Sequence, residues 1–236
     1  MTALAEILQR QSVWRGGTPS ETAIPAAPTG YAGLDAELPG GGWPVGGLAE
    51  VLCRAEGVGE LQIVLPTLAA LTGAGHRVAW LAPPHLPYAP ALRAAGVRLE
   101  HLTVVHAPGR RDALWAAEQA LRSRSFHALL LWLPRASYAE LRRLAVAVQD
   151  GPGFALAFRP PEAACEASPA VLRLALDPGA ESNLGIRILT RRGAPVSASL
   201  PVPIARPLAK RPAHALGRPS FPAASPASLV ARACAA

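Results

Sequence analysis

Apolar residues follow two rhythms along this chain. The runs LAEVL (48–52), VAWLA (78–82), LTVVHA (102–107), ALLLWL (128–133), FALAF (154–158), VLRLAL (171–176) and GIRILT (185–190) read as strands. Several are apolar at adjacent positions, so both faces of the strand are covered, as in a parallel sheet between helices. Between them the spacing lengthens. Leu114, Ala117 and Leu121 line one face of a segment after Gly109. In SYAELRRLAVAVQDG, Ser137 and Glu140 form a capping box. Leu141, Leu144, Ala145 and Val148 then make the buried stripe, and Gly151 is the expected stop. A further helix is expected in LQIVLPTLAAL. Alternation of strand and helix, followed by strand-rich sequence, predicts an α/β fold: a mostly parallel central sheet flanked by helices, with a mixed edge.

The same pattern divides the chain. Leu4, Ile7 and Leu8 predict a short N-terminal helix, and GGTPSETAIPAAPTG (16–30) reads as a linker, so residues 1–29 precede the domain. The domain itself is expected over 30–204. Residues 205–236, rich in Pro, Ala and Arg, are expected to be a largely disordered basic tail with a short helix near Leu229.

Composition narrows the function classes. Half of the 236 residues are hydrophobic, which suffices for a large core. The net charge of +7 and pI near 10.3 suit an acidic partner such as nucleic acid, and equally suit the Arg- and Ala-rich usage of GC-rich genomes. Cys53, Cys165 and Cys234 lie far apart, in no metal-type spacing, which suits a reducing compartment. His76, His85, His101, His106, His127 and His214 do not cluster. No metal, cofactor or catalytic residue is therefore expected. MTALAEILQR contains Glu6 and does not read as a secretory signal. No apolar run approaches the roughly 20 residues that span a bilayer. A cytoplasmic, non-membrane protein is expected, with association with the nucleoid an alternative.

The stretch RAEGVGELQIV (54–64) carries the candidate chemistry. Strand, glycine loop and helix is the layout of a phosphate-binding loop. Such a loop needs backbone N–H groups around the phosphates, a Lys for their charge, and a Ser or Thr hydroxyl for Mg²⁺. A carboxylate on a neighbouring strand must support the metal. Here Gly57 and Gly59 can supply the turn, but Glu60 and Leu61 follow instead of Lys and Ser/Thr. A carboxylate at that point repels phosphate. ALLLWLP ends in Trp132, Leu133 and Pro134, without an acid. Gly57, Gly59, Glu60 and Leu61 are thus the positions of a degenerate nucleotide loop. Glu60 is expected at the N-terminus of the following helix, where the dipole favours an anion and the carboxylate takes the place of the lost phosphate.

These motifs in order resemble a RecA-type core. GYAGLDAELPGGGWPVGGLAEVL (30–52) resembles the approach to its first strand, and RVAWLAPPHLPYAPALRAAGVRLEHLTVVHAP (77–108) its second and third strands. WAAEQALRSRSFHALLLWLP resembles the helix and strand that carry the Walker B acid, and SNLGIRILTRRGAP (182–195) the late strand pair. Pro83 and Pro84 stand where RecA has its catalytic Glu. GGGWP-GGL-E-L followed by G-GEL is similar to the ImuA family, RecA-like accessory proteins of bacterial mutagenesis cassettes. That resemblance implies a non-catalytic adaptor in SOS-type, error-prone translesion synthesis. Its implied partners are an ImuB-type Y-family polymerase homologue and an error-prone replicative-type DNA polymerase, with RecA a further candidate. SulA-type cell-division inhibitors, which bind the tubulin-like division protein, are a second reduced RecA-like family and the alternative resemblance. A weak RecA-like DNA-binding ATPase is the third reading.

Other residues weigh toward structure. Leu34, Asp35, Gly40, Gly41, Gly42 and Pro44 fit a tight turn into the first strand. Glu50, inside an apolar strand, is expected to answer a local hydrogen bond. Candidate contacts to DNA or a partner are Arg191 and Arg192 at a turn, Trp14 near the N-terminal helix, and Arg206, Lys210, Arg211 and Arg218 in the tail.

Overall fold

A computed structural model describes residues 25–54, 59–107, 109–178, 183–191 and 199–203. The first strand of the core, β3 (Leu48–Cys53), is buried along nearly its whole length, as its unbroken apolar run requires. It pairs in parallel with β7 (Phe154–Arg159) on one side and β8 (Leu172–Pro178) on the other. Beyond β7 lie β6 (Ala128–Trp132), β4 (Val78–Leu81) and β5 (Leu102–Val105), all parallel. Beyond β8 the sheet turns antiparallel through β9 (Asn183–Arg191) and β10 (Ser199–Pro203). The eight strands run in the order β10-β9-β8-β3-β7-β6-β4-β5. The fold is α/β, with a mostly parallel mixed sheet between helices, as the alternating pattern predicts.

Each face of the sheet has its own core. On one, Ala49, Val51, Trp80, Leu130 and Leu156 pack with Leu65 and Leu68 of helix α2 (Leu65–Gly73). Leu92 of α3 (Ala89–Ala94) joins this cluster. On the other, Leu48, Ala79, Leu129 and Ala155 pack with Ala117 and Leu121 of α4 (Arg110–Arg122) and Leu141, Leu144 and Val148 of α5 (Tyr138–Val148). The Ser137–Glu140 capping box is formed, and the predicted stripe on α5 is buried.

The end of the expected linker is held by the domain. Ala26–Ala27 (β1) pairs antiparallel with Trp43–Pro44 (β2), against the linker reading of residues 25–29. The reason is close backbone approach: a Cβ at Gly42 would stand 2.1 Å from the Ala27 carbonyl oxygen. The turn before it is closed by α1 (Ala32–Asp35), where Asp35 Oδ1 accepts the Thr29 N–H at 2.8 Å. Leu34 is fully buried and Trp43 stacks on Phe154, so this cluster serves packing. The expected N-terminal helix (Leu4, Ile7, Leu8) and the 205–236 tail lie outside the described residues.

An imidazole pair precedes the interior strands β4 and β6. His76 and His127 stack with ring centroids 3.8 Å apart, and His127 Nδ1 is buried without a hydrogen-bond partner. Burial, and then repulsion from His76, push the His127 pKa below its ordinary 6.5. As pH falls below 6.5, the unfolded chain takes up this proton before the folded one does. Stability should therefore be full above that value and decline as the solution is acidified toward the folded pKa. Urea midpoints measured across this range should fall on acidification, and His127→Phe should flatten the slope.

Candidate functional site

In open α/β sheets, ligand sites form outside the carboxyl ends of the strands where the chain's winding reverses. That point lies beyond β3, where the glycine loop begins. Gly59 has φ +111°, and Glu60, only 7 % exposed, turns back so that its Oε2 accepts the Gly59 N–H at 3.2 Å. The carboxylate thus binds an amide of its own loop. Leu61 packs on the core, with Ile63 and Val64 fully buried beneath it. Gly57 lies outside the described residues.

The helix does not start at Glu60, as the sequence suggested. Residues 60–64 wind as turns, with Gln62 N–H on Gly59 O and Val64 N–H on Leu61 O, and α2 begins at Leu65. Burial of Ile63 and Val64 holds this winding, and Pro66, which has no N–H to leave unpaired, suits the first helical turn. The hydroxyl in that turn belongs to Thr67. It is 3 % exposed, donates to Pro28 O at 2.7 Å and accepts from Trp43 Nε1 at 3.1 Å. It holds a turn and a tryptophan where a metal-binding hydroxyl would otherwise be sought.

The neighbouring strand ends are equally changed. β4 is followed by Ala82, in the left-handed region at φ +49°, then buried Pro83 and exposed Pro84. At the end of β6, Trp132 stacks on Phe158 with centroids 4.9 Å apart and tilts against Trp80 at 5.6 Å. Aromatic rings thus line the end of this strand. Among the described residues no group of three or more His, Cys, Asp or Glu could hold a metal ion.

Charge is instead concentrated within the sheet. Glu50, fully buried on β3, accepts Arg159 Nη1 at 2.9 Å from β7 and Arg173 Nε at 2.6 Å from β8. Arg159 also donates to Glu166 Oε2 at 2.7 Å and Ala136 O at 2.9 Å. Arg173 donates to the Ala163 carbonyl, tying down the 3-10 turn over 161–165. Glu50 thus answers hydrogen bonds, as expected, but its partners come from far along the chain. A guanidinium inside VLRLAL and another closing FALAFR are the signals that could have exposed them. The cluster binds the loops after β6 and β7 to the central strand and is fully engaged in doing so, apart from Arg159 Nε, which is buried without a partner.

The remaining candidates are not brought together. The backbone of Arg191 ends β9, opposite Leu172. Arg192, Arg206, Lys210, Arg211, Arg218 and Trp14 lie outside the described residues. Among the described residues no helix is long and apolar enough to cross a membrane.

No protein-family model matches the chain. It is similar to a protein named cell division inhibitor SulA from Edwardsiella piscicida, 34% identical over 103 residues. The match spans 43% of this chain and 61% of that protein, less than two thirds of its length. This similarity corrects the translesion-synthesis adaptor expected from the ImuA resemblance. The matched protein is a division inhibitor, and the reduced core on which the adaptor reading rested is a feature that both families were expected to share.

Proposed function

We propose that this chain is a non-catalytic inhibitor of cell division, built on a RecA-like core, that acts by binding the tubulin-like division protein. The observation that carries this reading is the 34% identity to the division inhibitor over 103 residues. The geometry supports its non-catalytic part. Glu60 folds onto the loop's own amide, Thr67 is committed elsewhere, and Trp132 stands at the strand end that would bear the metal's carboxylate. Placing β3 between β7 and β8, with an antiparallel edge, is compatible with the RecA-type order. Division arrest also fits a DNA-damage, SOS-type setting, in which cells hold division until their chromosomes are repaired.

Induced expression of the full chain in a bacterial host is expected to turn dividing rods into filaments several cell lengths long, while DNA replication continues. Cells of normal length, with the protein present and folded, would refute the reading.

A further inference from the structure

The outer face of the α4–α5 pair has a composition that solvent does not explain. Trp115, Tyr138 and Val146 are 63%, 53% and 50% exposed. Arg111 and Trp115 lie one turn apart on α4, and Tyr138, Arg142 and Val146 follow one another at one-turn intervals on α5. Arg143 of α5 reaches across to Glu118 of α4, so the two helices lie side by side.

The charges on this face fall into two sets. Glu118 engages Arg122 and Arg143, and Glu140 engages Arg110. Burial opposes the charge on Glu118, but the two guanidiniums outweigh it and hold its carboxyl below the usual range. Arg111, Arg135 and Arg142 are exposed and have no ion-pair partner among the described residues. Asp112 is the exposed carboxylate left beside them. The face therefore combines aromatic and aliphatic anchors with an uncompensated excess of guanidinium. Trp, Tyr and Arg are the residues that dominate protein interfaces.

We propose that this face is a docking surface for an acidic segment of a protein partner, with Trp115 and Val146 as apolar anchors and Arg111 and Arg142 as charge contacts. A nucleic acid fits it less well. Phosphate binding gains from every available cation, yet Glu118 and Glu140 take three of the face's arginines. The outer surface of two packed helices also offers no groove to track a single strand. The identity of the partner rests on the function proposed above; the surface does not.

The test places a photo-crosslinking benzoylphenylalanine at exposed position 119, one turn beyond Trp115, in the full chain expressed in cells. A control chain carries it at exposed position 98. Position 119 is expected to give an adduct to a protein peptide of net negative charge, absent from position 98. Arg111→Glu/Arg142→Glu and Trp115→Ala should each reduce its yield at least about tenfold, with the thermal melt of the chain unchanged. An acidic peptide of the tubulin-like division protein supports both surface and function. One from a different protein supports the surface and refutes the function. No adduct, an adduct to nucleic acid or to a peptide without net negative charge, or one that survives both sets of substitutions overturns the docking surface.

Discussion

Glu50→Ala is expected to destabilise the chain severely, with a sharply lowered urea midpoint. The substitution removes the carboxylate from between two guanidiniums that are 1% and 8% exposed. Their attraction to Glu50, with Glu166 a second carboxylate for Arg159, offsets the cost of taking them out of water. Without it, Arg173 has no carboxylate partner and Arg159 keeps only the exposed Glu166. Removing one partner of a buried ion pair costs about 3–5 kcal/mol, a large part of the roughly 5–15 kcal/mol that holds a domain together. Far-UV circular dichroism and urea titration would register the loss. The triple replacement Glu50→Leu/Arg159→Met/Arg173→Leu should fold better than Glu50→Ala, because no uncompensated charge remains. A Glu50→Ala chain as stable as the native one would show that the cluster is dispensable.

Rebuilding the nucleotide loop should fail. Glu60→Lys/Leu61→Thr restores the two side chains a phosphate loop requires, yet saturable Mg²⁺-dependent ATP binding is not expected. The strand ends still present Pro83 and the Trp80–Trp132–Phe158 rings, and the helix still begins at Leu65. The variant should also lose about 1–3 kcal/mol, because the Gly59 N–H loses its acceptor and a cation replaces a nearly buried carboxylate. Equilibrium dialysis with ATP and a denaturation curve give both numbers. Tight binding with unchanged stability would mean that an open site waits behind Glu60.

The six parallel strands were legible because strands covered on both faces leave short apolar runs, and their length separates these from helices. Ser137 and Glu140 were legible for a local reason, since a capping box is closed within four residues. What stayed hidden has other causes. SLPVP holds two prolines and forms β10 only because an edge strand tolerates their missing donors. Ala26–Ala27 and Trp43–Pro44 are too short to show a repeat. Glu50 and its arginines are 109 and 123 residues apart, so only the strand order brings them together. The loop's defects could be read at Glu60 and Leu61, but the same defects suited an adaptor and a division inhibitor alike. The similarity over 103 residues separated them.

Titration of the purified full chain into the purified tubulin-like division protein, with binding followed by calorimetry and polymer by sedimentation, decides whether the chain inhibits division by direct contact. Saturable binding of fixed stoichiometry at micromolar or lower concentration is expected, without added nucleotide for the chain itself, with loss of sedimenting polymer as sites fill. Absence of binding by the folded chain, with polymer assembly undisturbed, would contradict it.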